Sequence, residues 1–150
     1  MSEINFEKTA DMLFKFRNLL EKRENEIVQI GETTYRGART AHFSTNNIPE
    51  LINNLFLEAR ILKTIILELE KVQKHKDEIL SNKSTEDAHS INFLRIYAKD
   101  IDNYLENYKK YLKEVVRVYA KLEKNKENIS SELMSELMLK IYESRKIINL

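Results

Sequence analysis

Apolar residues recur on alternating four- and three-residue steps through most of this chain. In one segment Ile48, Ile52, Leu55, Ala59, Leu62, Ile66 and Leu69 keep that spacing without a miss. Such a period places one side chain per turn on a common stripe, which is buried only when a helix packs against other helices. The residues that break helices are confined to one short region: both glycines, Gly31 and Gly37, and the only proline, Pro49. A chain patterned in this way is committed to packed helices, and no segment shows the two-residue alternation of a strand bounded by turns.

The pattern predicts an all-α fold, an elongated antiparallel helical bundle of four helices at about 3–30, 49–80, 85–124 and 131–148, with a long polar loop at 31–47. Phe6, Leu13, Phe16, Leu20, Ile27 and Ile30 define the first helix, with Ser2 placed to cap its start and Gly31 suited to its end. Pro49 fits a first helical turn, where its missing N–H costs nothing. Ile91, Leu94, Ala98, Ile101, Leu105, Tyr108, Leu112, Val115, Tyr119 and Leu122 predict one unbroken third helix, with Ser84 or Thr85 as its cap. At 1.5 Å per residue this helix reaches ~60 Å and outruns its partners. Leu133, Met134, Leu137, Met138, Ile141 and Ile148 mark the fourth. Short connections make successive neighbours antiparallel.

With 150 residues, 42% of them apolar and 33% charged, the chain reads as a single helical-bundle domain spanning residues 1–150. Its formal net charge of +1 supplies no general field to select nucleic acid or an anionic membrane, so any such preference must be local. It contains no cysteine, which removes disulfide and thiolate chemistry and favours a reducing, cytoplasmic setting. The acidic start lacks the basic-then-apolar order of a signal peptide, and no apolar run approaches the ~20 residues of a membrane span. The expectation is a protein with no membrane partner and no cofactor.

Catalysis requires groups that converge, and the sequence offers few. Phosphate-loop, dinucleotide, zinc-protease and nucleophile-elbow motifs are missing. Glu86 and His89 have the i, i+3 spacing by which helical side chains share a metal, yet no second copy accompanies them, and an acid in a first helical turn is favoured by the helix dipole alone. No metal site is predicted. His75, among the charged last turns of the second helix, reads as a solvated residue.

Within GETTYRGARTAHFSTNN, Arg36 is followed by His42 after a short gap. This pair resembles the arginine–histidine motif of HEPN-type all-helical ribonucleases. The resemblance covers those two residues only, and Gly37 stands where that family often has a polar residue. It implies dimeric RNA cleavage in which Arg36 binds phosphate and His42 assists proton transfer.

Two surfaces stand out. In the third helix Lys110, Lys113, Arg117, Lys121 and Lys124 follow i+3 and i+4 steps and form one basic stripe, a candidate polyanion contact. Tyr97, Tyr104 and Tyr111 recur every seven residues beside the core stripe, where rings either stack on bases or seal the bundle edge. The 31–47 stretch carries Tyr35, Arg36, Arg39, His42 and Phe43, residue types that anchor interfaces. It reads as a long loop, with the alternative that 34–42 is a short helix or continues the first helix through a kink.

These features favour a non-enzymatic protein-interaction module of adaptor, export-chaperone, immunity or phage regulatory type. It would bind a protein partner through the 31–47 stretch and the third helix, with self-association as a further expectation. Nucleic-acid binding along the basic stripe is the alternative, and an HEPN-like ribonuclease the second.

Overall fold

The heptad stripes fold as helices throughout. The computed structural model describes residues 4–39, 47–83, 86 and 88–148. They form α1 (Phe6–Arg39), α2 (Asn47–Lys74), α3 (Lys76–Ser81), α4 (Ala88–Ala98), α5 (Ile101–Lys124) and α6 (Ser131–Ile148). No strand occurs among the described residues, and no helix there is long and apolar enough to cross a membrane. The all-helical expectation holds; the division into four unbroken helices does not.

Gly31 was expected to end the first helix, but α1 runs through it to Arg39. On α1 the positions Ala10, Leu13, Leu20, Glu24, Ile27, Gly31 and Thr34 lie on one buried stripe. Gly31 belongs to that stripe: a Cβ placed on it would lie 2.8 Å from the Sδ of Met138 on α6. The missing side chain lets α6 approach α1 closely, so tertiary packing outweighs the roughly 1 kcal/mol by which glycine disfavours a helix interior. Thr34, three residues on, is fully buried. Its hydroxyl donates to the Ile30 carbonyl at 2.9 Å, which meets the polar cost of that burial inside the helix. Of the expected loop 31–47, residues 31–39 are therefore helical, α2 begins at Asn47, and 40–46 lie outside the described residues.

The predicted second helix breaks at His75, whose backbone sits at φ −108° and ψ 22°. The short α3 that follows turns Ile79 fully into the core. Arg95 of α4 then donates to the Ile79 carbonyl at 3.2 Å and to the Asn82 carbonyl, covering the open end of α3. His75 is partly buried and pairs with Glu78 at 3.3 Å, so it marks the break rather than a solvated turn.

The third predicted helix is likewise two. At Lys99 and Asp100 the ladder tightens, with the Asp100 N–H bonded to the Tyr97 carbonyl at 3.2 Å, one residue nearer than in an α-helix. The seam survives this bend, because Ala98 and Ile101 on either side are both buried. An unbroken 85–124 helix outrunning its partners is thus corrected: among the described residues α1, with 34 residues, is the longest helix.

Caps fix the starts of the outer helices. Asn5 accepts from the Lys8 N–H at 3.0 Å before α1, and Ser130 accepts from the Leu133 N–H at 3.2 Å before α6. Ser2, Ser84 and Thr85, the caps expected from sequence, lie outside the described residues. α2 packs on α1 and α5, α6 packs on α1 and α5, and α4 rests on α1 with α3 beside it. Leu13, Leu20, Leu55, Leu62, Leu69, Leu94 and Leu122 lie at 1% exposure or less in this shared core. Each contributes about 1.5–3 kcal/mol by leaving water.

Candidate functional site

Two features emerge once the helices are packed. One is a polar layer inside the core, and the other is an apolar groove on the outside of the same α2–α5 pair. α2 and α5 run in opposite directions, as the pairs Gln73–Asp102, Glu58–Tyr111 and Phe56–Tyr119 show.

Inside, Glu58 is fully buried on α2 and Glu24 is 2% exposed on α1. Between them stands the Tyr111 hydroxyl of α5, which donates to Glu58 Oε1 and is also hydrogen-bonded to Glu24. Burial pushes the Glu58 carboxyl up to about 8; the Tyr111 hydrogen bond pulls it down and the neighbouring Glu24 pushes it further up. Burial, and then the two carboxyls, hold the Tyr111 hydroxyl well above its ordinary range. At neutral pH Glu58 is accordingly a neutral acid. Its Oε2 has no hydrogen-bond partner, a cost of about 1–3 kcal/mol that the surrounding packing offsets. Next to this layer, Arg23 of α1 reaches across to Asn54 Oδ1 of α2 at 2.8 Å. The cavity touching Tyr111 holds about 10 Å³, which fits one water at most.

Sequence reasoning passed over this layer, although a signal was present. The notional core register of α2 ran through Ala59, whereas Leu51, Leu55, Glu58, Leu62, Ile65, Leu69 and Val72 form a second register on the same steps, all buried. Glu58 is the one charge on it. On α1, Glu24 similarly falls between Leu20 and Ile27 on the buried stripe.

Outside, Leu112 and Tyr119 were expected in the seam but are only partly buried, and they form one wall of the groove. Its wider end, about 930 Å³, lies among Ile48, Pro49, Ile52, Phe56 and Tyr119, with Glu123, Lys126 and Glu127 at its rim. Its narrower end, about 330 Å³, lies among Phe56, Ala59, Leu112, Val116 and Tyr119, with Arg60 and Lys63 at its rim. Phe56 and Val116 stay 45% and 48% exposed, so the floor is apolar surface left to water. The Phe56 ring meets Tyr119 at 5.9 Å between centroids, and the Arg60 guanidinium sits 5.9 Å from the same ring.

The other sequence-predicted residues fall in several places. Tyr35 and Arg36 lie in the last turns of α1, Tyr35 partly buried against the core and Arg36 exposed. Arg39 ends α1, while His42 and Phe43 lie outside the described residues. In the basic stripe, Lys110, Lys113 and Lys124 are exposed. Arg117 and Lys121 are engaged by Glu136 of α6, at 2.8 and 3.0 Å, and Arg117 also by Glu114 at 3.1 Å. Hydrogen bonds from Arg117, then Lys121, hold the Glu136 carboxyl below its ordinary range. The centre of the stripe thus fastens α5 to α6. Because these side chains are about a third exposed, Glu136→Gln is expected to cost under about 1 kcal/mol in urea unfolding. That difference should shrink in high salt.

Of the three tyrosines, Tyr97 and Tyr111 are core residues at 2% and 1% exposure. Tyr97 meets Phe93 edge-to-face and Tyr104 at a tilt, with centroids at 5.4 and 4.9 Å, and accepts from Arg17 at 3.0 Å. At that burial its ring is out of reach of an external base. Glu86 and His89 are both exposed, and no group of three metal-ligating side chains converges among the described residues.

The chain matches no protein-family model, and neither a curated protein nor a solved structure is similar to it at a level that indicates relationship.

Proposed function

We propose that this chain is a non-enzymatic protein-interaction module whose partner docks in the α2–α5 groove. In this reading the scaffold is an antiparallel bundle of four columns, α1, α2, α4–α5 and α6, working in the cytoplasm. The observation that carries the proposal is the groove itself. Phe56 and Val116, 45% and 48% exposed, line it together with the half-buried Leu112 and Tyr119, so apolar side chains from both helices face one hollow. A concave apolar strip between two helices, edged by charge, suits a helix laid along it. The groove uses the predicted third helix, now α5. Its Ile48–Pro49 end follows in sequence from the stretch holding Arg39, His42 and Phe43, the other predicted contact region.

The test is site-directed photo-crosslinking in living cells. A photoreactive residue at Val116 is expected to yield a discrete adduct, while one at Glu21, exposed on α1, yields none. Phe56→Asp should abolish the Val116 adduct. Equal adducts from both positions, or none from Val116, would show that the groove is not an interface.

A further inference from the structure

We infer that the occupant of the α2–α5 groove is a second copy of this chain, related to the first by a two-fold axis lying across the groove. The inference rests on the groove being an interface, as proposed above, and adds what fills it. The groove is electrically polar along its length. One end is cationic, with Arg60 and Lys63 at the rim. At the opposite end stand Glu123, Lys126 and Glu127, and Lys126 is tied to Glu123 at 3.5 Å, so one negative charge remains. The middle is apolar, with Phe56 and Tyr119 shared by both ends.

This order of charges selects among occupants. A uniformly acidic helix would set its carboxylates against Glu123 and Glu127, and a uniformly basic one would meet Arg60 and Lys63. The groove requires an occupant whose polarity is reversed along the same length. An isologous contact must be complementary to itself, and a two-fold axis across the groove meets that condition. It lays the cationic end of one copy over the acidic end of the other and brings the two Phe56–Tyr119 centres together. The net charge of +1 leaves little overall repulsion between copies.

The experiment is sedimentation velocity on the purified full chain from about 1 to several hundred micromolar, a range that brackets an interface of modest affinity. Wild type is expected to pass from one chain mass to two. Phe56→Asp should remain at one mass throughout. Lys63→Glu and Glu127→Lys, each at an exposed position, should weaken dimerisation about tenfold or more, and the double reversal should recover most of that loss, because only the pairing of opposite ends restores opposite charges. Helical circular dichroism confirms that each variant is folded. A chain that stays monomeric at every concentration overturns the inference, as does a dimer indifferent to Phe56→Asp and to the charge reversals. If purified protein is monomeric while Val116 still gives a cellular adduct with a different chain, the groove reading stands and the second-copy inference falls. Absence of any adduct removes both.

Discussion

Between pH 5 and pH 8 the wild-type protein is expected to lose thermal stability steadily, while Glu58→Gln stays nearly level over the same range. The cause is the buried acid layer. Glu58 ionises near 8 in the folded protein, against 4.5 for an ordinary glutamate. A raised folded value means that the native state holds a proton which the unfolded chain has already released. The stabilisation is complete below about 4.5 and disappears as the pH climbs through about 8. In that window one proton separates the two states, so stability falls by about 1.4 kcal/mol per pH unit. For a chain of this size the melting temperature should drop by roughly 10 °C in total. Glutamine at 58 carries no titrating proton and keeps a carbonyl for the Tyr111 hydroxyl. The groups that bear on Glu58 are Tyr111 from α5 and Glu24 from α1, the latter acting in turn on Tyr108. Tyr111→Phe removes the hydrogen bond that holds the Glu58 value down, and should extend the decline to higher pH. Parallel decline of wild type and Glu58→Gln would show that the acid layer does not control the pH response.

The second large effect is expected at Gly31. Leucine there must fit where even a Cβ would lie 2.8 Å from Met138 Sδ. Gly31→Leu should therefore lose about 1–3 kcal/mol by overpacking and loosen α6, which hydrogen exchange would report as faster exchange of α6 amides than of α2 amides. Gly31→Ala is expected near neutral. Its gain in helix propensity, about 1 kcal/mol, is offset by the shift that the flexible Met138 side chain must make. The pair of substitutions separates two roles. A glycine ending a helix in the left-handed region would lose stability with either change, whereas a glycine at a helix contact tolerates a methyl group and rejects a large side chain. A Gly31→Leu protein as stable as wild type, with α6 protection intact, would refute the close contact.

Heptad spacing is local, because side chains three and four residues apart share a face whatever lies opposite. That is why the all-helical class, the start of α2 around Pro49 and the whole of α6 at Ser131–Ile148 were legible. The breaks at His75 and at Lys99–Asp100 were not, since the apolar spacing continues across both and the bends arise from how Ile79 and Ile101 reach the core. The groove was missed for a related reason. Leu112 and Tyr119 fit the heptad as well as Tyr111 and Val118 do, and only the direction from which α2 approaches decides which pair is covered. The basic stripe was visible as a spacing of charges, but its fastening to Glu136 depends on where α6 lands.

The sequence by itself determined that these residues form helices, because periodicity acts within a few residues. Gly31 shows where that reach ends: alone it reads as a stop, and beside Met138 it is the contact that admits α6. Tertiary structure alone decided that Glu24, Glu58 and Tyr111 share one buried layer, and that Phe56 and Val116 remain in contact with water. Both outcomes depend on which helix faces which, a relation between segments distant in sequence that no local pattern encodes.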